Sequence, residues 1–79
     1  MATVEFAWSP ILVGLRREVC PNARWNARGR QWFMSDDDAQ RFVQAAHRRL
    51  NFVKGQAQIN IDGVVWMIGF VRGAPYRVA

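Results

Sequence analysis

Polar and apolar positions alternate from Thr3 to Trp8, with Val4, Phe6 and Trp8 on one side and Thr3, Glu5 and Ala7 on the other, which predicts a half-buried first strand. Ser9 stands where a helix N-cap would, and Pro10 follows at the first helical position, where its missing N–H is not needed. Ile11, Leu12, Leu15 and Val19 then recur at helical spacing, while Arg16, Arg17 and Glu18 fall on the opposite side. A helix from about Pro10 to Cys20 is predicted. Gly14, Val13 and Val19 weaken it and make a strand the competing reading, and Pro21-Asn22 ends the element in either case.

The stretch from Arg24 to Ser35 reads as an aromatic, basic β-hairpin. With Arg28-Gly29 as a two-residue turn, Ala27 faces Arg30, Asn26 faces Gln31 and Trp25 lies directly opposite Trp32. Ser35 is the expected N-cap of a second helix, about Asp36 to Asn51. Asp36, Asp37 and Asp38 fill its first turn against the helix dipole, and Ala39, Phe42, Val43, Ala46 and Leu50 form one apolar stripe. Arg41, Gln44 and Arg48 fall on its outer face, and His47 and Arg49 lie near its C-terminal end, His47 as a solvated side chain.

Lys54-Gly55 closes that helix, and Gln56 to Ile61 alternates again. Asp62-Gly63 is a strong hairpin turn that pairs Ile61 with Val64, Ile59 with Trp66 and Ala57 with Ile68, in a partner strand running to Val71. One face of this terminal hairpin is wholly apolar and is expected to be core, Trp66 included. The other keeps Val65, Met67 and Val71 among polar neighbours, to be covered by a helix, by the tail around Tyr76, or by another chain. The predicted fold is a single small α+β domain over residues 1–79, order β-α-β-β-α-β-β, with antiparallel hairpins packed against two helices.

Charge narrows the functional classes. Eleven cations against six acids give a net charge of +5, and all but Lys54 of those cations are arginine. Guanidinium groups suit phosphate and stack on bases, so an anionic partner is favoured; arginine-rich codon usage with a merely solvated surface is the plain alternative. Cys20 is the sole cysteine, which rules out an intramolecular disulfide. The amino terminus lacks a signal-peptide pattern and no run approaches the roughly 18 apolar residues of a membrane span, so a cytoplasmic protein without a membrane partner is expected.

Catalysis is poorly provisioned, and an enzyme is not expected. His47 is the only histidine, and both serines, Ser9 and Ser35, look like caps. Cys20 and His47 are too few for zinc, the three aspartates have a structural explanation, and no glycine-rich phosphate loop is present, so neither metal nor cofactor is expected. Binding remains. The Trp25–Trp32 pair is either core or a stacking surface for unpaired bases, with Tyr76 a weaker stacking candidate. The candidate nucleic-acid-binding residues are Arg24, Trp25, Asn26, Arg28, Arg30 and Trp32, joined by Arg41, Arg48 and Arg49 into one basic surface if the hairpin and second helix pack side by side.

The aromatic strand (Phe6, Trp8), the helix entered at Pro10, the turn Pro21-Asn22-Ala23-Arg24, the hairpin Trp25-Asn26…Trp32-Phe33 and the acidic helix start Asp36-Asp37-Asp38 together resemble the HARP domain, the module that accompanies annealing helicases. Small plasmid and phage domains show a similar Arg-Trp-Asn/Asp…Trp pattern. The resemblance covers about half of the chain, Phe6 to Ala46, and implies binding of forked or single-stranded DNA near Arg24, Trp25, Asn26 and Trp32. This chain departs from the pattern in having no ATPase motor, in carrying Met34-Ser35 where a proline is usual, and in its terminal hairpin. The expected function is a non-catalytic module for single-stranded or junction DNA, with RNA also open. The alternative is a phage- or plasmid-type accessory protein that docks on a host defence complex or on its own copy through Val65, Met67, Val71 and Tyr76. The two differ in where the unburied apolar groups should lie.

Overall fold

Hydroxyl caps start both helices: Ser9 Oγ accepts the Leu12 N–H at 3.4 Å, and Ser35 Oγ accepts the Asp38 N–H at 3.0 Å. The computed structural model describes residues 1–69 and 73–78. Their elements in chain order are β1 (Ala2–Phe6), α1 (Pro10–Val19), β2 (Arg24–Asn26), β3 (Gln31–Met34), α2 (Asp36–Phe52), β4 (Gln56–Ile61), β5 (Val64–Gly69) and β6 (Tyr76–Arg77).

The strands form one antiparallel sheet in the order β2-β3-β1-β4-β5-β6. The expected pairings form: Trp25 lies opposite Trp32, Asn26 opposite Gln31, and Ile61, Ile59 and Ala57 oppose Val64, Trp66 and Ile68. The first turn is longer than the expected Arg28-Gly29 pair, because Ala27 to Arg30 all lie outside the ladder and the positive φ falls on Arg30 (53°). Asp62 (φ 52°) and Gly63 (φ 86°) both take positive φ, as a two-residue hairpin whose twist matches its strands requires. Asp62 also exchanges hydrogen bonds with Thr3, donating its N–H to the Thr3 carbonyl at 2.9 Å and accepting the Thr3 N–H at 2.8 Å. The hairpin tip is thereby tied to β1.

The connections explain the strand order. Antiparallel neighbours make β1 and β2 run the same way with β3 between them, and β3 and β4 run the same way with β1 between them. Each helix is therefore the crossover of a split β-α-β unit, and the two units interleave in the ferredoxin-like arrangement. The α+β order expected from sequence is confirmed. β5 extends the sheet beyond β4, and the tail adds β6, pairing Tyr76 with Met67 as a further edge strand rather than folding over the sheet.

Both helices lie on one face. α2 packs over β5, β4 and β1 and against α1, burying Ala39, Phe42, Val43, Ala46 and Leu50 against Val4, Ile59 and Ile68. Phe42 is fully buried, with its ring centroid 5.4 Å from that of Phe6. The opposite face presents Thr3, Glu5, Gln31, Phe33, Gln58 and Asn60 on its central strands, a polar surface uncovered by any helix among the described residues.

Four further expectations are corrected. β1 ends at Phe6, and Trp8 stands outside it, 79% exposed, because the chain must leave the ladder to enter the Ser9-Pro10 cap. Arg16, expected to point outward, is buried over Trp32. His47 is also buried, not solvated. Its Nδ1 accepts the Gly69 N–H at 3.0 Å, so the proton sits on Nε2, which donates to the Gly73 carbonyl at 2.7 Å; the ring ties α2 to the end of β5. Trp66 is only partly buried and lies outside the core cluster, beside Pro75 and Arg77. Val71 falls outside the described residues.

Two positive-φ glycines separate conformation from space. A Cβ added at Gly63 meets nothing within 4 Å, whereas at Gly69 it would strike the Gly55 carbonyl and lie 2.7 Å from Leu50 Cβ. In thermal unfolding, Gly63→Ala is expected to cost about 1 kcal/mol, and Gly69→Ala about 3 kcal/mol or more, since backbone must move to admit the methyl group.

Candidate nucleic-acid interface

Strand alternation divides the aromatic hairpin between two faces. Trp25 and Trp32 point to the helix side, while Arg24, Asn26, Gln31 and Phe33 lie on the open side. α1 covers the hairpin incompletely, and a cleft of about 590 Å³ remains between them, lined chiefly by Phe6, Trp8, Val13, Trp25, Arg30 and Trp32. That volume is typical of ligand sites, roughly 300–1,000 Å³.

The walls of the cleft are unequal. Trp32 is held in place: the Arg16 guanidinium sits 4.0 Å above its ring, and the Trp25 ring meets it at 5.0 Å with a 53° tilt. Arg16 Nη1 donates to the Cys20 carbonyl at 3.3 Å, and its buried Nε has no protein partner among the described residues. Burial, with repulsion from Arg17 second, draws the Arg16 pKa below its ordinary value; an arginine stays charged regardless. Trp25 is 52% exposed and Trp8 more so. Arg30 joins them from the hairpin turn, and no acidic side chain lines this cleft among the described residues.

A larger depression of about 760 Å³ continues round the end of β1 past Ser9, Gly29, Gln56 and Gln58. It contains Glu5, whose carboxylate accepts from the Gln31 side-chain amide. Carboxylate and amides make it less suited than the aromatic cleft to stacking or to an anion.

The expected basic residues do not gather in one place. The hairpin is not among the elements against which α2 mainly packs, so the condition for one basic surface is not met. Arg30 lines the cleft, Arg28 is exposed in the turn, and Arg24 lies across the sheet opposite Phe33. Arg41 is engaged by Asp38, which raises its pKa through that hydrogen bond. Arg48 and Arg49 line a separate groove between the helices with Leu15, Val19 and Phe52. Of the alternative set, Met67 and Val65 are partly buried and Tyr76 is 48% exposed on the edge strand.

Phe6, Trp8, Val13 and Arg16 complete the site and were not expected in it. The available signal was local, since the residue before a Ser-Pro helix start cannot extend the strand ladder. Cys20 is fully buried, its thiol donating to the Asp38 carbonyl at 3.3 Å; burial first and Asp38 second push its pKa up. Among the described residues, no three His, Cys, Asp or Glu side chains cluster to hold a metal, and no helix is long and apolar enough to cross a membrane.

Two predictions follow from these environments. Trp32→Ala is expected to lower stability by about 2 kcal/mol in denaturant unfolding, since it removes packing and strips Arg16 of its ring, whereas exposed Trp25→Ala costs less than about 1 kcal/mol. For Cys20, a folded pKa above the unfolded one means that stability is fully present below the ordinary thiol value of 9.0 and declines as pH rises through the folded value. Unfolding measured from neutral pH to above that value should show the decline in the wild type and a smaller one in Cys20→Ala.

Compared with models of known protein families, with curated proteins and with solved structures, the chain matches none.

Proposed function

We propose that the protein is a non-catalytic, cytoplasmic module that binds single-stranded nucleic acid, or the unpaired strand of a DNA junction, through the β2–β3 hairpin. The carrying observation is that a half-exposed tryptophan and an unpaired arginine, Trp25 and Arg30, share one cleft with no carboxylate in its wall among the described residues. Stacking on an aromatic face is worth about 1–3 kcal/mol per base and tolerates any base, while arginine contacts to phosphate supply affinity that salt weakens. Arg28, exposed in the same turn, extends the positive edge along which a backbone could run. The resemblance of the hairpin to the HARP module supports the same reading. The open sheet face is a weaker platform, because β1 and β3 place only one aromatic, Phe33, on it beside Glu5. Protein docking through the terminal hairpin has less support: the exposed aromatic surface is greater at Trp8 and Trp25, and Val65 and Met67 are partly covered.

Fluorescence anisotropy of a labelled single strand, titrated at several salt concentrations, tests the proposal. Arg28→Ala and Arg30→Ala should each weaken binding and reduce the slope of log affinity against log salt by about 0.7, the increment for one phosphate contact on a single strand. Arg41→Ala should leave the slope unchanged, because Asp38 already engages that side chain. Unchanged binding in both hairpin variants would remove the role given to the hairpin.

A further inference from the structure

We infer that the aromatic cleft is a site for one unpaired nucleobase, in which Trp8 supplies a stacking surface additional to Trp25. This rests on nucleic-acid binding by the hairpin and goes beyond it, since Trp8 belongs to another part of the chain. The side chain lies between the last residue of β1 and the cap of α1, and it is 79% exposed although it lines the same cleft as Trp25 and Trp32. An indole left this open contributes little to the fold, and its apolar surface is available to a planar guest.

The chemistry of the walls selects the guest. Arg30 lines the cleft and the Arg16 guanidinium lies over the Trp32 ring, so a cation such as a methylated lysine, the usual occupant of aromatic cages, meets repulsion. A base attached to a phosphate brings the opposite charge. No Asn, Gln, Ser or Thr side chain lines the cleft among the described residues, so side-chain hydrogen bonding to base edges is not provided and the base is held by stacking. Preference should therefore follow stacking strength, with purines bound more tightly than pyrimidines and little further sequence dependence. Trp32, fixed by Arg16, forms the rigid back of the site, and Trp8 and Trp25 form its accessible sides.

The test compares wild type, Trp8→Ala and Trp8→Phe on a single-stranded oligodeoxyadenylate of about 12 nucleotides and on a strand of equal length made of abasic sites. The exposure of Trp8 means that both variants should melt with the wild type. Trp8→Ala is expected to bind the base-bearing strand about tenfold more weakly and the abasic strand unchanged, with Trp8→Phe recovering most of the loss. In NMR spectra of the wild type, the indole N–H signals of Trp8 and Trp25 should move on adding the base-bearing strand. That of Trp66, beside Pro75 on the far part of the sheet, should not. If the wild type binds the oligodeoxyadenylate and Trp8→Ala binds it equally well, or if wild type binds both strands alike, the base site is refuted while nucleic-acid binding by the hairpin stands. If neither strand binds, both ideas fall.

Discussion

The packing of α2 across the sheet is the constraint from which the other features follow. Its stripe, Ala39, Phe42, Val43, Ala46 and Leu50, can be removed from water only by a surface of matching width, and that surface is the joined helix-side faces of β1, β4 and β5. Full burial of Phe42 alone is worth roughly 1.5–3 kcal/mol, and its contact with Phe6 brings the end of β1 under the helix. Because α2 begins after β3 and ends before β4, its crossing places those two strands on either side of β1. The interleaved topology is thus the arrangement in which one amphipathic helix buries its face on strands drawn from both halves of the chain.

That solution leaves one edge of the sheet lightly covered. α2 has 17 residues and occupies the centre and the β5 side, so the β2–β3 hairpin depends on the shorter α1, which has 10. α1 buries Leu12 and lays the Arg16 guanidinium over Trp32, but leaves Trp25 half exposed. The aromatic cleft lies in this shortfall. Its polarity follows from what surrounds it: Arg16 of α1 fixes Trp32, Arg30 of the hairpin turn stands at its mouth, and among the described residues no acidic side chain lines it.

At the other end of the sheet, polar groups do what apolar area does at the centre. His47 accepts the buried Gly69 N–H and donates to the Gly73 carbonyl, so one ring holds both glycines to α2. Gly69 permits this closeness, since any Cβ would collide with the Gly55 backbone. Asp62 similarly joins the β4–β5 turn to β1 through its backbone N–H and its carboxylate. These anchors hold the terminal hairpin as a continuation of the sheet, which is why its spare apolar residues border β6 instead of lying beneath a covering tail.

Local chemistry was enough to determine every element of this protein except the short edge strand β6. Ser9-Pro10 and Ser35 with its three aspartates start the helices, Asp62-Gly63 sets the terminal hairpin register to the residue, the turn around Gly29 pairs Trp25 with Trp32, and the period of the α2 stripe names its buried face. Each depends on neighbours within a turn or across one hairpin, which a linear reading can follow. The fates of Arg16, His47 and Trp66 could not be followed in that way, because each is decided by what a distant segment offers it. Arg16 is buried because Trp32 offers a ring face, and His47 because Gly69 offers an N–H. Trp66 is only partly covered because it lies outside the core gathered around Ile59 and Ile68, whereas the exposure of Trp8 has a local cause, the end of the strand it follows. The candidate site divides along the same line. The hairpin that carries Trp25, Arg30 and Trp32, with Arg24 on its other face, is written in the sequence, whereas the meeting with Phe6, Trp8 and Val13, and the separation of Arg41, Arg48 and Arg49, arise only when α1 and α2 take their places on the sheet.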